Sequence, residues 1–296
     1  MIVALGDCML DVALRTECTA GVSHCFAQAT VSPGGSAANF AVWVARLGGE
    51  AGLIARVGDD VLGQALVRDL QQEGVETHVA LGDETTGMLV TLVDRSDNIS
   101  IVAARGATSR LSRDDLDWPL LERAELLHVT GFSFLEEAPR SAALSAMAHV
   151  KARGKLLSLD PSTHGYVQRV GATAFLDLVA DVDILFPNLD EGRALTGEQQ
   201  PDEIMRVLLH RFPVVALKLG AEGAMAGTGD QVIHHPGWDV PVADATGAGD
   251  AFAAAFVVSW LADHDLSAAL EEGNRTAAGV VQLAGARRFT AVRRGS

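Results

Sequence analysis

Residues Asp244-Ala245-Thr246-Gly247-Ala248-Gly249-Asp250 run straight into an apolar stretch that begins Ala251-Phe252-Ala253. A small, glycine-rich loop at a helix start leaves backbone N–H groups without intrahelical partners. With the helix dipole they make a site for an anion. Gly247 and Gly249 let the backbone approach a phosphate closely,. Asp250 falls in the first helical turn, beside that site. A carboxylate there is poorly suited to holding phosphate and well suited to taking a proton from a hydroxyl that attacks it. The same Asp would serve equally as an acidic residue that complements the helix dipole, and the loop alone does not separate the two readings.

The elements that must hold such a loop follow from hydrophobic periodicity. Ile2-Val3-Ala4-Leu5 reads as a buried strand ending at Gly6-Asp7, and further strands are expected at 53–57, 126–130, 156–160, 184–187 and 214–219,. A helix is expected at 36–47, where Phe40, Val44 and Leu47 share a stripe and Gly48 follows as a stop,. Others are expected at 61–73, 138–153, 171–180, 189–196 and 202–211, and two more, at 247–262 and 267–284, close the chain. The alternation predicts an α/β fold with a mostly parallel central sheet covered by helices on both faces. Residues 12–33 and 86–104 break the rhythm. The second segment reads as strands 87–93 and 99–104 joined by the polar turn Asp94-Arg95-Ser96-Asp97-Asn98,. Together the two segments are expected to form a small β-sheet lid, with a pair of ordinary surface hairpins as the plainer alternative. The expected division is a body of 1–10, 34–84 and 106–296 and a lid of 11–33 and 85–105.

Bulk composition narrows the partners. Of 296 residues, 48% are hydrophobic and 21% charged, as in folded globular chains,. With 23 basic and 38 acidic residues the net charge is −15, which argues against a nucleic-acid or anionic-membrane surface,. Local dipoles and a few basic groups must therefore hold any anionic ligand. Cys8, Cys18 and Cys25 fit neither a disulfide scaffold nor a metal pattern and read as reduced thiols of a cytoplasmic protein,. No basic segment precedes the first apolar stretch, so no signal peptide is expected. The apolar run 251–262 is shorter than the about 20 residues that span a bilayer and reads as a buried helix,. His234-His235, following a strand, and His24 with Cys25, in the lid, read as surface residues.

Several motifs in order resemble the PfkB/ribokinase family of carbohydrate kinases. Asp244 to Phe252 is similar to the family's C-terminal signature, and Gly34-Gly35-Ser36-Ala37-Ala38-Asn39, followed by Arg46-Leu47-Gly48, to its N-terminal one. Gly6-Asp7 with Asp11, Gly58-Asp59-Asp60-Val61-Leu62-Gly63, Asn188-Leu189-Asp190-Glu191 and Lys218-Leu219-Gly220-Ala221-Glu222-Gly223 also fall in family order. The resemblance implies a ribokinase-like three-layer sandwich with a β-sheet lid, ATP and Mg²⁺ as cofactors, a small sugar as substrate, and a homodimer paired through the lid. It implies Asp250 as base and the N–H groups of Gly247, Ala248 and Gly249 as an anion hole. Asp11, Gly35 and Asn39 would contact sugar hydroxyls. Asn188 and Glu191 would place Mg²⁺ through waters, with a capping box as the plainer reading. Lys218, Gly220 and Gly223 would border the nucleotide, Asn274 would line the adenine pocket, and Asp244 and Thr246 would help bind a monovalent cation, K⁺.

Two departures bear on substrate and cation. Many members carry Arg four residues after the strand that ends at Asp160, where this chain has His164, and histidine offers no bidentate fork to a carboxylate or phosphate,. Arg105, at the returning lid strand, is the compensating candidate, with a solvated lid charge as its alternative. After Gly285 the family's small-polar pattern gives way to Ala286-Arg287-Arg288-Phe289. The expected activity is phosphorylation of a sugar hydroxyl on ribose, fructose or a related ketose or sugar acid. A nucleoside kinase on the same fold is the alternative, disfavoured by a single tyrosine and 5% aromatic residues but kept open by Phe26, Phe132 and Phe134. A sugar sensor would not need Asp250. The chain contains neither GxGxxG nor GxxxxGK[ST], which speaks against a dinucleotide oxidoreductase and a P-loop enzyme.

Overall fold

The computed structural model describes residues 1–296 except 17–25, 95–98, 163, 230, 284 and 290–296. In chain order the elements are β1 (Ile2–Leu5), β2 (Met9–Thr16), β3 (Ala27–Gly34), α1 (Ser36–Arg46), β4 (Ala51–Gly58), α2 (Val61–Gln72), β5 (Glu76–Gly82), β6 (Met88–Val93) and β7 (Ile99–Ala104). There follow α3 (Trp118–Arg123), β8 (Leu126–Thr130), α4 (Glu137–Lys151), β9 (Leu156–Asp160), α5 (His164–Val170), α6 (Ala172–Leu178), β10 (Ile184–Leu185) and α7 (Leu189–Thr196). The chain continues through α8 (Pro201–Leu209), β11 (Val214–Lys218), β12 (Ala224–Thr228), β13 (Gln231–His235), α9 (Ala248–Asp263) and α10 (Leu266–Val280).

Nine strands form the central sheet in the order β13-β12-β11-β10-β9-β8-β1-β4-β5. All neighbours pair in parallel except β11-β12 and β12-β13, which are antiparallel. Side chains alternate across a strand, and β1 shows the result. Val3 and Leu5 enter a core with residues of α3, α4 and α8, while Ile2 and Ala4 enter one with residues of α1, α2, α9 and α10. The sheet is thus covered on both faces, which is why strands such as β8 read as unbroken apolar runs,.

A second sheet has the order β3-β2-β6-β7, with β2 and β6 parallel and both outer pairs antiparallel. It roots on the body at Thr86, whose N–H and hydroxyl both donate to Asp60, at 2.8 and 2.7 Å. The same Asp60 caps α2 by accepting from the Gly63 N–H.

Several elements escaped the periodicity. The edge strand β5 and the strand β12 lie outside the expected strands: β5 is half polar, and β12, Ala-Met-Ala-Gly-Thr, has little β-branched character,. The short α3 and α5 were also missed. The expected helix at 171–180 is α6, parted from α5 by Gly171 at φ 89°. His234 and His235 lie within β13 and do not follow it. Cys18, His24, Cys25 and the turn at 95–98 lie outside the described residues. No helix among the described residues is long and apolar enough to cross a membrane.

Candidate active site

The first turns of α1 and α9 meet at Asp250. Ser36 donates its hydroxyl to Asp250 Oδ1 at 2.5 Å, and Asn39 Nδ2 donates to Oδ2 at 3.0 Å. Both helices begin at a left-handed glycine, Gly35 at φ 92° and Gly247 at φ 77°. At Gly35 a Cβ would come within 2.5 Å of the Asp7 carbonyl oxygen, and at Gly247 it would strike Ala286. Only glycine fits either position. Asp250 is therefore held by two donors at a helix start, in a loop where the Ala248 N–H donates to the Ala245 carbonyl at 3.2 Å.

The ends of the parallel strands supply the surrounding charges, where open α/β sheets bind their ligands. Asp160, ending β9, pairs with Lys218, ending β11. Lys218 Nζ lies 3.3 Å from where a Cβ of Gly249 would sit, so its ammonium stands beside the glycine loop. An isolated parallel bridge aligns Asn188 with Lys218. Asn188 and Glu191 form a reciprocal capping box, each accepting the other's backbone N–H at 2.9 Å. The plainer expectation for this pair is therefore met, and Glu191 also lines the site while only 2% exposed.

Two cavities share Asn188, Lys218 and Gly249. The smaller, of about 280 Å³, is lined by Asp11, Gly35, Asn39, Arg105, Glu191 and Asp250, among others. The larger, of about 700 Å³, is lined by Gly220, Gly223, Trp238, Phe252, Asn274 and Ala248, among others. Burial pushes the Asp250 carboxyl up to about 7, against the hydrogen bonds from Ser36 and Asn39 that hold it down. Burial, then the nearby Asp160, push Glu191 up to about 7. Burial takes Asp11 up to about 6, with Arg287 pulling the other way. Burial also opposes the charge on Lys218, but Asp160 and Glu191 outweigh it and the ammonium is stabilised. The smaller cavity thus holds carboxylates whose charge a cation would relieve, and the larger holds almost no charge.

Most of the expected residues converge here. Arg105 is not a solvated lid charge: it pairs with Asp7 at 3.3 Å and Glu136 at 3.2 Å and donates to the Phe132 carbonyl at 3.1 Å. Asn274 lines the larger cavity, but its amide donates to the His235 carbonyl at 3.1 Å. Asp244 lines neither cavity. It accepts from the Thr246 N–H and hydroxyl on one oxygen and from the Gly285 N–H on the other, bracing the glycine loop. Among the described residues no group of three or more His, Cys, Asp or Glu is arranged to hold a metal, His234 and His235 included. Unforeseen members of the site are Ser36, Asp7, Asp160 and Trp238. Ser36 follows the glycine pair directly and Asp160 ends a strand, so both carried a positional signal. Trp238 sits in an irregular stretch with none.

Comparison with known proteins follows the same lines. A family model described as pfkB family carbohydrate kinase matches residues 1–291. The chain belongs to the pfkB family of carbohydrate kinases. Among relatives of this carbohydrate-kinase chain, an ATP-dependent ribose-1-phosphate kinase from Halopiger xanaduensis is 35% identical over 86% of this chain and 82% of that protein. A fructokinase from Escherichia coli is 32% identical over 84% and 81%. The crystal structure of adenosine kinase from Sinorhizobium meliloti superposes with a TM-score of 0.89 at 25% identity, covering 98% of this chain and 96% of that one. The three-layer α/β architecture with a separate four-stranded sheet is thus the ribokinase-like fold.

Proposed function

We propose that this kinase transfers the γ-phosphoryl group of ATP to a hydroxyl of a small sugar, with Asp250 as general base. The observation that carries the reading is the position of Asp250: fixed by Ser36 and Asn39, beside the glycine loop, close to where the two cavities join. The larger cavity, apolar and walled by Trp238 and Phe252, suits the nucleotide base, and the smaller suits the sugar,. The hydroxyl oxygen attacks the γ-phosphorus, its proton passes to Asp250, and the bond to the ADP oxygen breaks. The N–H groups of Gly247, Ala248 and Gly249, with Lys218, stabilise the charge on the transferring group.

Asn188 and Glu191 are suited to Mg²⁺. The metal usually keeps several waters and needs only one or two protein carboxylates, and the buried Glu191, pushed up by burial and by Asp160, is such a group,. Bound there, Mg²⁺ would neutralise phosphate charge. A monovalent cation at Asp244 and Thr246 belongs to the same reading, acting on the loop and not on substrate. Replacing K⁺ by tetramethylammonium in the assay tests it.

An uncharged sugar is favoured. Asp7, Asp11, Asp160, Glu191 and Asp250 line the smaller cavity against Arg105 and Lys218, and both cations are already paired, with Asp7 and Asp160. A sugar acid or sugar phosphate would have to draw Arg105 away from its partners. Among the described residues Phe132 is the one aromatic side chain lining this cavity, which speaks against a nucleoside as acceptor. We further propose that the second sheet, with 11–33 and 85–105, acts as a lid on the body of 1–10, 34–84 and 106–296. Its outer strands expose Val31, Ile101 and Val102, which suits pairing with a second copy. The test is ATP turnover with Mg²⁺ on fructose, ribose, 2-keto-3-deoxygluconate, ribose 1-phosphate and adenosine. Turnover of fructose or ribose supports the reading; preference for adenosine or an anionic sugar overturns the assignment of the smaller cavity.

A further inference from the structure

Arg287 lies in the segment after α10, in the run that departs from the family pattern. Its side chain is fully buried and pairs with Asp69 of α2, which is 2% exposed. Its Nε donates to Asn39 Oδ1 at 3.0 Å, while Nη2 has no hydrogen-bond partner among the described residues. A buried ion pair is a weak source of stability, because desolvation offsets the attraction. An unpaired buried N–H weakens it further. Stability alone is a poor explanation for an arginine here.

The chemistry of Asn39 supplies a better one. An amide can turn either its oxygen or its nitrogen toward a neighbour. Arginine only donates, so Arg287 draws the oxygen to itself and leaves Nδ2 facing Asp250 Oδ2, 3.0 Å away. One N–H of that nitrogen remains for a sugar hydroxyl. The residues just before Arg287 grip the glycine loop from behind. The Gly285 N–H donates to Asp244 Oδ2 at 3.0 Å, and Ala286 packs against Gly247. A single stretch, 285–287, therefore touches both the loop and the residue that orients the base.

We propose that Arg287 is a positioning residue for phosphoryl transfer: it fixes the amide of Asn39, which fixes the Asp250 carboxylate beside the glycine loop. The proposal rests on the reading of Asp250 as base. Arg287 lines neither cavity and touches no reacting atom. Asp250 is faced by Ser36 and Asn39 from α1, Asp160 from β9 and Lys218 from β11. Arg287 is faced by Asp69 from α2, Asn39 from α1, and Cys8 and Asp11 from the start of β2 and the turn before it. An oriented Nδ2–H favours the ionised carboxylate, so freeing Asn39 makes Asp250 harder to ionise.

Arg287→Lys keeps a cation opposite Asp69 but lacks the planar fork that reaches Asn39 as well. Its kcat should fall about ten- to a hundredfold, the loss expected of a misplaced reacting group. The KM for ATP should change less than about twofold, since nucleotide binding is untouched. The acid limb of kcat/KM should move up by about 0.4 to 1 pH unit, the equivalent of one lost hydrogen bond. Asp69→Asn removes the ion pair and leaves the bond to Asn39. It should lower Tm while kcat stays within about threefold of wild type. If Arg287→Lys does not fold, the neutral pair Asp69→Asn/Arg287→Gln carries the same readings. A wild-type kcat and pH limb in the Arg287 variant, or equal loss of kcat per folded molecule in the Asp69 variant, overturns the proposal. Asp250→Asn is measured alongside. If it is inactive while the Arg287 variant is unaffected, this proposal fails alone; if it is fully active, the base assignment fails and takes the proposal with it.

Discussion

The two cavities meet at the same three residues yet are built in opposite ways. The smaller cavity is crowded with carboxylates, three of them pushed up to between about 6 and about 7. The other cavity is larger, its lining includes few charged groups, and it presents glycines, Trp238 and Phe252. One is a region where burial raises the cost of carboxylate charge; the other is mostly apolar. Substitutions in the first should therefore change turnover, and substitutions in the second should change affinity.

The sharpest break of that contrast is Asp250→Asn. It should lower kcat by about 10²- to 10⁴-fold, the range of general-base catalysis, with the KM for ATP nearly constant. A variant that raises KM and spares kcat would place Asp250 on the binding side. The pH profile follows in size. Because the base must be ionised, kcat/KM should fall about tenfold per unit below about pH 7, the value to which burial takes Asp250,. Stability should run the other way. The folded-state values of Asp250 and Glu191 lie above those of the unfolded chain, so their contribution is complete below about pH 4 and is lost as pH rises through about 7,. The Tm of the ligand-free protein, followed from about pH 8 down to about pH 6, should rise as activity declines. A Tm that falls over that window would deny that the carboxylates are strained.

On the nucleotide side, Trp238→Ala should raise the KM for ATP about tenfold and leave kcat within about twofold, as loss of an aromatic wall would. Smallest of all, Asn274→Ala should raise the same KM about two- to threefold, because the amide braces His235 and acts on the cavity at one remove,. Steady-state kinetics with ATP as the varied substrate separates the three variants.

The same contrast decides what could be read from the sequence. The glycine loop, Asp250, and the Asn188–Glu191 pair were legible because each sits at a helix start, where residue type and position are tied by backbone geometry. The parallel strands were legible because two-sided burial makes them continuously apolar. Trp238 was not, because it lies in an irregular stretch after β13 and shares the cavity with residues of α9 and α10 that come later in the chain. The capping box shows a further limit: the same Asn188 and Glu191 close a helix and line a site, so one sequence signal answered for two roles. Arg287 was visible only as a departure from a pattern. Nothing local distinguishes a buried arginine from a surface one until Asp69 and Asn39 stand opposite it.

Asp250 meets its partners Ser36 and Asn39 across 214 and 211 positions of chain, and Arg287 meets Asp69 across 218. During synthesis at about 5–20 residues per second, the N-terminal half can fold its strands many seconds before those partners emerge. The helix that carries Ser36 and Asn39 is made well before α9, which supplies the carboxylate those two residues hold. A ribosome-bound chain halted before α9, the helix that carries Asp250, should be compact in part and lack ATP turnover.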